Sequence, residues 1–116
     1  MLILNVTRNS IILADALVAD TFFTRLKGLL GTKSLDKGRG LMIVPCSSIH
    51  TIGMKYAIDV LFIDQYDRIV KIEKDMSASK FSFCHKSRYV VELPAGVLAD
   101  TNTIVGDTVA RVGKFK

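Results

Sequence analysis

The sequence predicts an α+β domain in which a mostly antiparallel, highly curved β-sheet or small β-barrel carries one main helix. About seven short runs rich in β-branched and aromatic residues are separated by turn signals, which is typical of strands. A single segment has apolar residues at helical spacing. The length of 116 residues fits one domain, residues 1–116, with a core of its own.

The N-terminal segments predict a β-hairpin. Residues 2–6 and 10–14 are apolar and β-branched, and they flank the polar residues 7–9. Because these polar residues suit a tight reversal, the two runs are expected to pair with each other.

The clearest helix is expected to run from Asp20 or Thr21 to Leu30. Asp and Thr are good N-cap residues, and Gly31 supplies a C-terminal stop. The apolar residues at helical spacing are Phe22, Phe23, Leu26, Leu29 and Leu30. This stripe predicts a helix that covers one face or opening of the sheet.

The middle of the chain predicts two strands and a second hairpin. Residues 41–44 form an apolar run that ends at a proline, and residues 48–54 form a weaker strand with a bulge at Gly53. Residues 57–63 give the strongest strand signal. They are expected to pair with residues 68–73 across a short turn.

The C-terminal third is expected to begin with a loop. Residues 74–86 are polar and mixed in character, whereas residues 88–93 have the pattern of a strand. A short helical turn is expected at 95–100, and a Gly-Asp turn opens the last strand at 108–112.

Composition and charge exclude several classes of function. A hydrophobic content of 49% with 23% charged residues argues against disorder. The net charge of +5 is divided between the two ends of the chain without a basic patch that contains aromatic residues, so nucleic acid is not an expected partner. Asp15 and Asp20 interrupt the longest apolar region, which argues against membrane insertion. Because the N-terminus lacks a signal-peptide pattern, a cytoplasmic location is expected.

Two carboxylates lie inside apolar strands. Asp59 has apolar neighbours on both faces of its strand, and burying an unpaired charge there is costly. The favoured interpretation is that Asp59 holds a turn or bulge through backbone N–H groups, and a site carboxylate is the alternative. Glu92 repeats the pattern. An exposed Glu92 paired with Arg88 is favoured over a dyad of acids.

His50 lies on a half-apolar strand face. Such a histidine is more often a core or rim residue than a ligand, and the alternative is a role in acid/base chemistry. Antiparallel pairing of its strand with the next one would bring His50 beside Asp59, so we expect a polar cluster at the end of the sheet. The candidate pocket residues are His50, Thr51, Met54, Asp59 and Glu92.

The two cysteines are expected to be reduced and unbridged. Cys46, His50, Cys84 and His85 are residue types that bind zinc, but adjacent residues in a strand point to opposite sides. We therefore expect no metal site and no cofactor. A nucleophilic pair of Cys46 and His50 is also disfavoured, since nothing identifies an oxyanion donor or an orienting third group.

Several segments within residues 18–113 together suggest a family. They are Arg25-Leu-Lys-Gly-Leu-Leu-Gly31, Arg39-Gly-Leu-Met42, Ile49-His-Thr-Ile-Gly-Met54, Ile58-Asp-Val-Leu-Phe-Ile-Asp64, Val91-Glu-Leu-Pro-Ala-Gly96 and Ile104-Val-Gly-Asp107. In order and spacing they resemble the bacterial and archaeal domain-of-unknown-function 192 family. The resemblance implies a compact, mostly β domain without an established activity, and we expect a bacterial source. It supplies no catalytic residues to carry over.

The expected function is a small binding or accessory module with a small polar pocket. The subgroup that the chain resembles implies an association with secretion or pilus systems. The alternative is a small acid/base, hydrolase-like enzyme that uses His50, Asp59 and Glu92. A protein or a small ligand is the expected partner, and the oligomeric state stays open.

Overall fold

A computed structural model describes residues 1–113, which contain ten strands and two short helices. The strands are β1 (Leu2–Asn5), β2 (Ser10–Leu13), β3 (Asp15–Ala19), β4 (Arg39–Ile43), β5 (Ser48–His50), β6 (Ile58–Ile63), β7 (Ile69–Met76), β8 (Phe81–Phe83), β9 (Tyr89–Pro94) and β10 (Val109–Val112). The helices are α1 (Phe22–Lys27) and α2 (Val97–Asp100). Strands outweigh helices, which confirms the predicted α+β class. Within the described residues no helix is long and apolar enough to cross a membrane.

Three sheets organise these strands. The largest has the order β3-β4-β9-β6-β7, in which β3 and β4 run parallel and the other neighbours run antiparallel. A second sheet has the order β10-β1-β2, and a third consists of β5 and β8. The pairing is thus mostly antiparallel. Of the two predicted forms, these residues adopt curved open sheets rather than a closed barrel.

The core lies on both faces of the five-stranded sheet, because every residue of β6 is buried. Ile58, Val60 and Phe62 belong to one apolar cluster. Leu61 and Ile63 belong to the other cluster, on the opposite face. A strand that is covered on both faces has a continuous apolar run, which explains its strong signal in the sequence.

The predicted N-terminal hairpin is confirmed. β1 pairs antiparallel with β2, and Asn9 in the turn has a φ of 57°, a conformation that Asn tolerates better than most residues. The other edge of β1 pairs with β10, where Asn5 lies opposite Val109. Both ends of the described chain therefore meet in one sheet.

Helix α1 is shorter than predicted. Thr21 caps it through a capping box with Thr24, as expected, but the helix ends at Gly28 rather than at Gly31. Gly28 has a φ of 51°, in the left-handed region where glycine is strained least. No residue of α1 is buried, and the apolar residue that enters the core is Leu29, just beyond the helix.

Three expectations about strands were wrong. β3 forms where no strand was expected, and the loop expected at 74–86 contains the end of β7 and all of β8. The strand that holds His50 pairs with β8, with Ile49 opposite Ser82, and not with β6. A polar segment becomes a strand here because tertiary pairing supplies the hydrogen bonds that its composition does not predict.

Candidate functional site

Seven polar or charged residues are buried in the described part of the chain, and their hydrogen bonds separate structural groups from a candidate site. They are Asn5, Thr51, Asp59, Ser82, Glu92, Thr103 and Asp107. A buried polar group normally has a hydrogen-bond partner, so one that lacks a partner calls for an explanation.

Asp59 is fully engaged by backbone donors. The N–H of Asp75 donates to Oδ1 at 2.9 Å, and the N–H groups of Gly96 and Leu98 donate to Oδ2 at 3.1 Å each. The last two donors begin α2, where N–H groups have no partner within the helix. Asp59 therefore ties α2 and the end of β7 to the centre of the sheet.

Asp107, which the sequence pattern identifies only as a turn residue, is held in a similar way. Its Oδ2 accepts from Asn5 Nδ2 at 3.0 Å, from Arg8 Nε at 3.1 Å and from the Ile104 N–H at 3.1 Å. Burial acts to raise the pKa of Asp107, but these hydrogen bonds outweigh it and hold the pKa below its ordinary value. The cluster links the N-terminal hairpin to the turn before β10.

Glu92 differs from both of these acids. It lies in β9 between Leu41 of β4 and Val60 of β6, and it is 4% exposed. No hydrogen bond or ion pair to its carboxyl group occurs within residues 1–113. Burial raises the pKa of Glu92 to about 7. The favoured interpretation of an exposed Glu92 paired with Arg88 is therefore wrong, because its strand is covered on both faces.

The Glu92 carboxyl group faces a cavity of about 190 Å³, which we name the Glu92 cavity. A Cβ atom placed on Gly28 would lie 3.4 Å from Glu92 Oε1, so the turn after α1 closes over the carboxyl group. The residues that line the Glu92 cavity are Arg25, Leu26, Lys27, Gly28, Leu29, Leu30, Ile43, Cys46, Ser48, Ile49, His50, Met54 and Glu92. The wall is mostly apolar, with basic groups among the lining residues.

Cys46 shares this cavity as a neutral thiol. Its Sγ donates to the Ser48 carbonyl at 3.1 Å. Burial is the main factor that raises its pKa, and the charge of Glu92 raises it further, while the Ser48 contact and Arg25 act in the opposite direction. Because the thiolate is the nucleophilic form, this environment does not activate Cys46.

The structure brings together three of the five candidate pocket residues. His50, Met54 and Glu92 line the Glu92 cavity, and His50 is exposed at its rim, where Nδ1 accepts from the Ile52 N–H at 3.3 Å. Thr51 is buried elsewhere: its hydroxyl donates to the Ser77 carbonyl at 2.6 Å and accepts from the Lys80 N–H at 2.9 Å.

Asp59 does not reach this cavity. In the β6–β9 register Asp59 lies opposite Leu93, whereas Glu92 lies opposite Val60, so the two carboxylates point to opposite faces of the sheet. The expected cluster of His50 with Asp59 rested on a pairing of their strands that does not occur, since β5 pairs with β8.

Sequence reasoning missed Arg25 and Gly28 as members of the site. Both occur in the Arg-Leu-Lys-Gly sequence at the end of α1, which in the sequence is only part of a family pattern. A glycine that ends a helix early is a signal that another group approaches the backbone closely.

Of residues 1–113, no three His, Cys, Asp or Glu side chains form a group that could hold a metal ion.

Comparisons with known proteins relate this chain to a family of uncharacterised proteins. A sequence model of the family DUF192, described as "Uncharacterized ACR, COG1430", matches residues 4–111. A UPF0127 protein of Thermococcus sibiricus is 27% identical over 113 residues, which are 93% of this chain and 73% of that protein. A UPF0127 protein of Pyrococcus furiosus is 28% identical over 109 residues, covering 90% of this chain and 92% of that protein.

A similar fold has been solved. The crystal structure of a protein of unknown function from Novosphingobium aromaticivorans matches with a TM-score of 0.76 at 18% identity, over 83% of this chain and 74% of that one. The two UPF0127 relatives are archaeal, so they give no support to the expected bacterial source.

Proposed function

Because the chain belongs to the DUF192 family of uncharacterised proteins, we propose a function from the geometry of its site: a module that binds a small ligand in the Glu92 cavity. The observation that carries this proposal is the buried Glu92 carboxyl group, which has no partner in the described chain and opens into that cavity.

The carboxyl groups of Asp59 and Glu92 differ in how their burial is compensated. A buried polar group without a hydrogen bond costs about 1–3 kcal/mol relative to one that is paired. Asp59, on the same sheet, avoids this cost through three backbone donors. Glu92 has no such donors in the described chain, and a ligand that brings an N–H donor or a cationic nitrogen to it would form a charge-assisted hydrogen bond whose positive charge lowers the pKa of the carboxyl group.

The size of the cavity limits the ligand. A volume of about 190 Å³ lies below the ~300–1,000 Å³ of pockets for drug-sized ligands. Leu29, Ile43 and Met54 supply apolar wall. The geometry therefore favours a small molecule with a nitrogen donor at one end and a hydrocarbon body.

The proposal can be tested by NMR titration with short n-alkylamines and with alcohols of the same chain length. The amines should shift the amide resonances of Gly28 and Glu92 in a saturable way, and the alcohols should bind at least about tenfold more weakly, because a charge-assisted hydrogen bond is worth more than a neutral one. Glu92→Gln should remove the preference for amines. Glu73→Gln, a change of the same kind at a partly exposed site away from the cavity, should retain it.

Two outcomes would contradict the proposal. The first is the absence of any saturable shift at the cavity with either series of compounds. The second is an equal affinity for amines in the parent protein and in Glu92→Gln, which would mean that the carboxyl group takes no part in binding.

An acid/base enzyme is the second candidate, and one observation favours it. A carboxyl group with a pKa of about 7 can both give and take a proton near neutral pH, and His50 lies at the same cavity. Asp59, the third residue of that hypothesis, is committed to backbone donors on the opposite face. The association with secretion or pilus systems stays a prediction.

A further inference from the structure

A second concavity of about 470 Å³ adjoins the Glu92 cavity. The two share a wall made of Arg25, Leu26, Ile43, Cys46 and Ser48. The two spaces therefore border each other at these side chains, with Glu92 lining the first and Arg88 lining the second.

The second concavity is positively charged. Arg25 and Arg88 both line it, and its lining includes no acidic residue. Neither arginine forms an ion pair within the described chain. Two guanidinium groups without counterions beside apolar walls create a positive potential that attracts anions.

The guanidinium group of Arg25 also has a buried N–H donor without an acceptor in the described chain. Its Nη1 donates to the Pro45 carbonyl at 3.3 Å, but its Nε–H is buried with no acceptor in residues 1–113. A guanidinium group offers its donors in a planar fork that matches the two oxygens of a carboxylate or phosphate. A small rotation of the Arg25 side chain toward such an anion would give the unpaired N–H its acceptor.

On the premise that the Glu92 cavity binds a ligand, we infer that this ligand is a short zwitterion. Its nitrogen donor meets Glu92, and its carboxylate or phosphate group lies between Arg25 and Arg88. Leu26 and Ile43, which line both spaces, face the hydrocarbon linker between the two charged ends.

The separation of charges also fixes the orientation of the ligand. Glu92 lines only the first space and attracts the ammonium group, whereas Arg88 lines only the second and attracts the anion. Molecules that carry only one of the two charges leave one end of the site without a partner, so the site discriminates against them.

Calorimetric titration of the full chain with ω-amino acids of increasing chain length tests this inference. Each is compared with the n-alkylamine and the alkyl carboxylate of the same length. One chain length should bind at least about tenfold more tightly than its amine, because the second charged end adds a charge-assisted bidentate contact. The ω-aminoalkyl phosphate of that length, titrated in parallel, identifies which anionic group the arginines prefer.

Two variants separate the ends of the site. Arg88→Gln should bring the affinity for the amino acid down to that for the amine, and Glu92→Gln should bring it down to that for the carboxylate. Arg68→Gln removes an exposed arginine from a turn that lines neither space, and it should leave all affinities unchanged.

The results distinguish this inference from the proposed function. If amines bind but no amino acid of any length binds more tightly, the zwitterion is overturned and the amine-binding module stands. If the advantage of the amino acid persists in Arg88→Gln, the second concavity is not the anion site and the inference is equally overturned. If neither amines nor amino acids bind, both proposals fall.

Discussion

Asp59 and Glu92 are buried acids on paired strands of one sheet, one register step apart, yet their environments are opposite. Asp59 faces one apolar cluster and accepts three backbone N–H groups at the start of α2 and the end of β7. Glu92 faces the other cluster and accepts none from the described chain. The comparison teaches that burial alone does not identify a functional acid, whereas burial without a partner beside a cavity does point to one.

The largest expected effect is the loss of Asp59. Asp59→Ala leaves three backbone donors without their acceptor, that of Leu98 buried and those of Asp75 and Gly96 partly buried, and should lower the free energy of unfolding by about 3–5 kcal/mol. Urea unfolding followed by circular dichroism measures this loss. Asp59→Asn, which keeps an acceptor oxygen without the charge, should lose less. A loss below about 1 kcal/mol for Asp59→Ala would remove the structural role assigned to this carboxylate.

The next effect is the contribution of Glu92 to the pH dependence of stability between about pH 5 and about pH 8. Its pKa is about 7 in the folded chain against an ordinary 4.5, so the folded state binds more protons than the unfolded state between these values. The contribution of Glu92 to the free energy of unfolding is therefore fully present below about pH 4.5 and is lost as the pH rises through about 7. The free energy of unfolding falls by on the order of 3 kcal/mol over this range.

Urea unfolding at about pH 5 and about pH 8 measures this dependence, and Glu92→Gln should remove it. Asp107 acts in the opposite direction and at lower pH, because its pKa lies below the ordinary value of 3.8. An identical pH dependence in the parent protein and in Glu92→Gln would mean that Glu92 is ionised and solvated, which would weaken the contrast with Asp59.

A smaller effect of opposite sign is expected when Glu92 becomes apolar. At about pH 8 the parent protein carries a buried carboxylate without a partner, so Glu92→Leu should raise the free energy of unfolding by about 1 kcal/mol. The matched change Asp59→Leu should lower it. If both changes destabilise the fold to a similar extent, Glu92 has a structural partner after all.

Much of the fold was predictable because it depends on local patterns. The apolar run at 57–63 predicts the strand β6, and the polar residues 7–9 predict the turn of the first hairpin. Strand pairing was not predictable in the same way. β8 has a polar central residue, Ser82, and forms only because β5 lies beside it, which is information about distant parts of the chain.

The candidate site was also predicted only in part, because some of its residues follow from local patterns and others depend on contacts between distant parts of the chain. His50, Met54 and Glu92 were named from their own strands and do meet at one cavity. Gly28 lies over the Glu92 carboxyl group because α1 ends there, whereas the sequence pattern continues the helix to Leu30. Helix ends are the least predictable feature of a sequence.

The smallest expected effect is on the reactivity of Cys46, and it tests whether Glu92 and this thiol share one cavity. The charge of Glu92 contributes to the raised pKa of Cys46, so Glu92→Gln should increase the thiolate fraction and speed alkylation by about twofold at about pH 8. Iodoacetamide is the suitable reagent, because it is neutral and its approach is not affected by the lost charge.

The rate is measured by mass spectrometry in a Cys84→Ser background, so that Cys46 is the remaining cysteine of the chain. Glu73→Gln serves as the matched control, since Glu73 lines neither the Glu92 cavity nor the second concavity and its loss should leave the rate unchanged. Equal rates in Glu92→Gln and in Glu73→Gln would contradict the shared cavity. A faster reaction in Glu92→Gln alone would show that the Glu92 carboxylate raises the pKa of Cys46 across the cavity. This result is expected of Glu92, which accepts no hydrogen bond from the described chain, whereas Asp59 is engaged by backbone donors on the opposite face.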